Sequence, residues 1–314
     1  MIDATDGGLM LFANPMDHAL FYPTVIRLGA FLGIGLIVLL FVERRRLREF
    51  GSNILFRRWR TWLVIAVVYV FGVLSGPLPV VLLVGGMTFQ ALREYAYLAR
   101  LPADYRQILL VMGLLPAPVA VLSIESFYFL APLLLIVATL QPILFKGDAE
   151  GVRQLAFAVL GWGYIAWFLA HMVLIHQHVG GGEGILLVLG VAVAMSDVGA
   201  YVTGKAFGKH KLSPRLSPNK TVEGALGNFI GAYAGVILMA YAAPPGTGSM
   251  LLVALPALIG VACIWGDLLE SAIKREFGKK DAGEWLPGFG GILDRIDSLI
   301  ISLPLVLYVF WLLD

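Results

Sequence analysis

The sequence predicts an all-α, polytopic integral membrane protein of about ten transmembrane helices, with eight as the lower count. Three observations carry this. Of 314 residues, 59% are hydrophobic and 14% charged, against roughly a quarter charged in soluble domains. The mean hydropathy is +0.84, and a water-soluble globule has nowhere to hide that much apolar surface. Finally, the apolar residues fall into runs approaching the roughly 20 that cross a bilayer as a helix. A soluble enzyme is thereby excluded, and no nucleic-acid partner is expected.

In chain order the predicted spans are 24–42, 61–75, 78–92, 108–122, 127–145, 154–175, 184–204, 224–243, 250–270 and 298–313. Pro77, Pro79, Pro116 and Pro118 crowd two of the hairpins, which is why the count ranges from eight to ten. With the N-terminus outside, the inside loops are 43–60, 93–107, 146–153, 205–223 and 271–297. They hold 7, 3, 2, 5 and 5 Lys or Arg, 22 of the 23 in the chain. Basic loops stay cytoplasmic, so the alternation supports both the spans and their orientation. The polar loops then face the cytoplasm, in a bacterial inner membrane. The first twenty residues carry Asp3, Asp6 and Asp17 but no Lys or Arg. That is unlike a cleavable signal peptide, so the first span is expected to stay. The run Arg44, Arg45, Arg46 and Arg48 reads as a topology anchor or a site for anionic headgroups. Cys263 is the only cysteine, so no intramolecular disulfide and no cysteine metal cluster can form. The chain divides into a plain apolar part, 1–150, and a part with polar interruptions, 151–314, carrying the loops 205–223 and 271–297.

Two carboxylates sit inside apolar spans. Asp197 precedes Lys205 by eight residues and Asp267 precedes Lys274 by seven, which puts both roughly 10–12 Å from the basic loops. Intramembrane acids usually face a polar cavity or a partner. Two hard oxygen ligands at one depth suit Mg²⁺, with phosphates completing its shell; the alternative is two unrelated residues, each with its own Lys or hydroxyl. In loop 205–223, Gly199, Gly204 and Lys205 nearly spell a P-loop, but Ala206 stands where Ser or Thr is needed, and the stretch follows a span rather than a strand. Ser217-Pro218 reads as a helix start, able to bind phosphate through free N–H groups, or as part of a solvated connector. Loop 271–297 is richer. Lys274-Arg275 and Lys280-Asp281 precede Pro287-Gly288-Phe289-Gly290-Gly291-Ile292-Leu293-Asp294-Arg295-Ile296-Asp297. Paired bases suit a polyphosphate, glycines allow close backbone approach, and Asp294 and Asp297 add oxygens of the kind metals take. His176 and His178 are expected in a solvated outside loop, and His171 has no assigned role.

Ser-x-Ile-Lys-Arg, Lys-Asp and Pro-Gly-x-Gly-Gly-Ile-x-Asp-Arg-Ile-Asp over 271–297 resemble the defining motif of phosphatidate cytidylyltransferases. Ser196-Asp197 and Ser-Pro-x-Lys-Thr-x-Glu-Gly at 217–224 are similar to that family's second segment. The resemblance covers about 190–300; before that the likeness is only apolar and multi-spanning. It implies transfer of a cytidylyl group from CTP to phosphatidic acid, giving CDP-diacylglycerol and pyrophosphate, within phospholipid biosynthesis. On this reading Mg²⁺ sits on Asp197 and Asp267, with Asp294 added. Asp267, Lys274, Arg275, Asp294 and Arg295 are the expected catalytic residues. Ser217, Lys220, Lys280, Asp281, Gly290 and Gly291 are the expected substrate contacts. The family also implies a homodimer among membrane lipids. Phe289 departs from the family, which usually has His there; a phenyl ring can neither hydrogen-bond phosphate nor carry a proton. The rival readings are a CTP-dependent kinase of lipid alcohols of the polyprenol and phytol type, and a non-catalytic binder or transporter of lipid phosphates.

Overall fold

The computed structural model describes residues 11–43, 53–144, 150–279, 282, 283, 285 and 290–313. Its helices are α1 (Phe21–Val42), α2 (Ile54–Leu74), α3 (Pro77–Leu98), α4 (Ala103–Gly113), α5 (Pro116–Leu122), α6 (Ile124–Ala138), α7 (Gln141–Leu144), α8 (Gly151–Gly161), α9 (Phe168–His178), α10 (Gly182–Phe207), α11 (Val222–Met239), α12 (Ser249–Glu276) and α13 (Leu293–Leu313). A π-helical turn, Trp162–Trp167, joins α8 to α9. Between α10 and α11 lies an antiparallel hairpin, β1 (Lys211–Ser213) and β2 (Ser217–Thr221), with Lys211 opposite Thr221 and Ser213 opposite Ser217.

Among the described residues, eight helical runs are long and apolar enough to cross a membrane: Phe21–Phe41, Ala103–Leu122, Ile124–Leu144, Gly151–His178, Gly182–Phe207, Val222–Ala242, Leu252–Glu276 and Leu293–Leu312. Eight is the lower end of the expected range of eight to ten. The other two predicted spans are helices too, α2 and α3. However, α2 opens on Arg57, Arg58 and Arg60, and α3 closes on Arg93 and Glu94. The arginine run 44–48 lies outside the described residues.

Local chemistry sets the breaks. The Asn53 side chain caps α2 by accepting from Leu55 N at 2.7 Å. Ser123, in extended conformation, separates α5 from α6 and accepts from Ser126 N at 3.0 Å. Gly151–His178 is the most enclosed run, 78% buried against 6% for Phe21–Phe41. It packs on α3, α5, α10 and α13 and so forms the centre of the bundle. His176 and His178 belong to α9, not to a solvated loop: His176 is buried against Val73 O at 2.9 Å and His178 meets Ala120 O at 2.7 Å. His171 is buried, with Nδ1 on Trp167 O at 2.9 Å and the Tyr308 hydroxyl 3.4 Å from Nε2.

The contact that matters most for function is α10 on α11. A side chain at Gly227 would strike Thr203 and the Gly199 carbonyl, and one at Gly231 would strike the Met195 carbonyl. Small residues four apart let two helix backbones touch, and this locks the polar faces of α10 and α11 in register.

Candidate active site

Those two faces, with α12, α13 and the hairpin, enclose a cavity of about 480 Å³. From α10 come Asp197, Ala200, Tyr201, Gly204 and Lys205, a spacing that keeps them on one side of a helix. Helix α11 adds Gly224, Ala225 and Asn228; α12 adds Ile264 and Asp267; α13 adds Asp294, Arg295 and Asp297. Ser217, Asn219 and Lys220 line it from β2. Asp197 and Asp267, read from sequence as a pair at one depth, therefore share a cavity.

Lys220 Nζ lies 2.8 Å from Asp267 Oδ2. The hairpin delivers this lysine, which corrects the expectation that Ser217-Pro218 begins a helix. Ser217 and Pro218 lie in β2, where proline is tolerated at an edge. Helix α11 starts only at Val222, capped by Thr221 Oγ1, which accepts from Gly224 N at 3.1 Å. Glu223 holds the hairpin's other end, accepting from Lys209 N at 3.1 Å and meeting His210 Nδ1 at 2.7 Å.

A second charged group reaches the cavity wall through Asp294. Lys274 Nζ is 2.5 Å from Glu270 Oε2 and 2.8 Å from Asp294 Oδ1, and all three side chains are largely buried. Asp294 also accepts from Gly291 N at 2.9 Å and Ala282 N at 3.2 Å. Both of its oxygens thus hold Gly291 and Ala282, and the same carboxylate lines the cavity beside Arg295 and Asp297. Gly290 has φ +90° and lies against Asp294, a backbone state that strains other L-residues. Lys274 and Arg275 do not line the cavity. Arg275 Nε donates to Leu216 O at 3.2 Å and its NH1 to Lys279 O at 3.0 Å, tying the hairpin turn to the end of α12. Lys280, Asp281 and Phe289 lie outside the described residues.

Among the described residues, no three His, Cys, Asp or Glu side chains group closely enough to hold a metal by themselves.

Residues 56–313 match the cytidylyltransferase family. The chain belongs to that family. It is 32% identical over 264 residues to a phosphatidate cytidylyltransferase of Bacillus subtilis (strain 168), covering 81% of this chain and 96% of the relative. It is 35% identical over 270 residues to the uncharacterized protein YnbB of Escherichia coli (strain K12), covering 80% and 85%. It is also 46% identical to a phosphatidate cytidylyltransferase of Brucella suis biovar 1 (strain 1330), over 127 residues that make up 40% of this chain and 46% of the relative.

Sequence reasoning missed Lys205 and Asn228, which line the cavity of this cytidylyltransferase-family site, and it missed Glu94, which supports it. Glu94, buried on α3, accepts from Ile292 N at 3.1 Å, Leu293 N at 2.9 Å and Gln90 Nε2 at 2.8 Å. It satisfies the free N–H groups at the start of α13 and places negative charge at that helix's positive end. The rule that singled out Asp197, a carboxylate on an apolar helix, would have found it; ending the span at residue 92 put it in a loop instead.

Proposed function

We propose that this chain is a phosphatidate cytidylyltransferase of a bacterial inner membrane, acting at the cytoplasmic face on CTP and phosphatidic acid. One observation carries the reading: Asp197, Asp267, Lys220 and Arg295, drawn from four separate elements, converge on a single cavity. Family membership and the names of the Bacillus and Brucella relatives support the same reaction.

In this reading Lys205, Lys220 and Arg295 hold phosphate oxygens of CTP and lipid. An oxygen of the phosphatidate phosphate attacks the α-phosphorus of CTP; the O–Pα bond forms, the bond to the β-phosphate bridging oxygen breaks, and pyrophosphate leaves. The attacking phosphate is already anionic, so the protein needs no nucleophile of its own. Its residues position and neutralise. Glu94 holds Ile292 and Leu293 and Asp294 holds Gly291 and Ala282, keeping Arg295 and Asp297 at the cavity wall. Mg²⁺ fits the donor set, since this ion keeps water and phosphate ligands around a few carboxylates, and Asp197, Asp267, Asp294 and Asp297 all line the cavity. Asp197 and Asp267 would hold it, and once bound it supplies neutralisation of charge on the triphosphate oxygens.

The rival lipid-alcohol kinase differs in which phosphate it transfers. With purified protein, phosphatidate and Mg²⁺, label in the α-phosphate of CTP should enter lipid and label in the γ-phosphate should leave as pyrophosphate. Label from the γ-position in lipid, with CDP released, would assign the kinase reaction instead.

A further inference from the structure

We propose that Asn228 is a substrate-contacting residue whose amide bonds the donor–acceptor edge of the pyrimidine ring. This rests on reading the cavity as a CTP site. Asn228 is 3% exposed and lines the cavity. Its amide oxygen is buried without a hydrogen-bond partner, and among the described residues nothing engages the amide nitrogen either. Buried polar groups in folded proteins are nearly always bonded, so an amide left empty at a cavity wall points to a ligand. Its level is fixed by the helix contact described above. Gly227 and Gly231 rest on Gly199 and on Met195 of α10, which brings Asn228 to the level of Asp197.

The chemistry of the occupant follows from what the amide lacks. A phosphate only accepts, so it would leave the buried oxygen without a donor. The cytosine edge offers an amine donor beside a ring-nitrogen acceptor, which an amide meets with two parallel hydrogen bonds, as Asn meets adenine in a DNA groove. The same cavity is also lined by Ala200, Ala225 and Ile264, small or apolar side chains that suit the flat face of a ring. An amide turned over serves a uracil edge equally, so Asn228 accommodates CTP and UTP alike.

The test is binding to the full-length protein in detergent, measured by equilibrium dialysis with CTP, dCTP and inorganic triphosphate. Asn228→Leu keeps the volume and removes both bonds. It should weaken CTP and dCTP together by roughly 5- to 100-fold, the worth of two neutral hydrogen bonds, while triphosphate binds as in the wild type. Unchanged CTP affinity would overturn the proposal. So would an equal loss for triphosphate, which marks a phosphate contact, or a loss for CTP alone, which marks a ribose hydroxyl. Asn228→Ala serves if the leucine variant unfolds, and unfolding of both would make the residue structural and contradict the proposal. Because binding is read apart from turnover, the two readings fail separately. Wild-type protein that does not bind CTP overturns the function beneath, whereas wild-type binding indifferent to Asn228 overturns this proposal alone.

Discussion

Glu94 Oε2 accepts from Leu293 N at 2.9 Å across 199 positions of chain. A carboxylate with three N–H donors holds the loop more firmly than an amide could, since hydrogen bonds to charged groups contribute about 1.5–3 kcal/mol each. Glu94→Gln preserves size and removes the charge, and we expect turnover to fall about 10- to 150-fold on that scale. Steady-state rates with phosphatidate, read beside the unfolding temperature, check this; a wild-type rate would show that the loop holds its shape without α3. Arg295 lines the cavity, whereas Arg58 sits at the mouth of α2. Arg295→Ala should therefore cost at least tenfold more in kcat/KM than Arg58→Ala, and equal losses would remove Arg295 from the phosphate site. At Phe289 the prediction rests on chemistry alone. An imidazole in place of the phenyl ring could bond phosphate or carry a proton, help typically worth 10²–10⁴-fold. We expect Phe289→His to raise the rate on phosphatidate by tenfold or more, and an unchanged rate would mean the position is packing. At this scale the sequence exposed residues that break a local rule, such as Asp197 and Asp267 on apolar helices. It left Glu94 hidden, because ending the third span at residue 92 moved this carboxylate off its apolar helix and into a loop.

Among elements, the helices were legible because apolar run length and helix length coincide. The hairpin was not. Lys211–Ser213 and Ser217–Thr221 lack the alternation of a half-buried strand, and they are held by Glu223 and Arg275 from neighbouring elements. The grip of α10 on α11 can be tested through one glycine. Gly231→Val would drive a side chain into the Met195 carbonyl, whereas Gly29→Val on α1 meets nothing within 4 Å. We expect the first to destabilise by about 1–3 kcal/mol, the usual cost of overpacking, and to abolish activity by moving Asp197, with the second near neutral. Thermal unfolding of both variants decides, and equal midpoints would mean the contact tolerates separation. The hairpin's orientation is tested by Asn219→Cys in a Cys263→Ala background. This thiol should resist an impermeant reagent in intact cells, and labelling from outside would reverse the topology.

For the whole molecule, the split at 150 separated a plain apolar region from a chemical one, yet Glu94 on α3 bonds Ile292 and Leu293 from the other side of that line. The first region thus contributes to the site by positioning rather than by lining the cavity. Packing across such a boundary leaves no periodic trace in a sequence whose helices are apolar on most sides. The proposed transfer of a cytidylyl group to phosphatidate requires Asp267, in the cavity it shares with Asp197 and Lys220. The most direct measurement is CDP-diacylglycerol formation by purified wild-type and Asp267→Asn protein at saturating CTP, phosphatidate and Mg²⁺. The account predicts product and pyrophosphate in equal amounts from the wild type and none above background from a folded Asp267→Asn variant; near-normal turnover by that variant would contradict it.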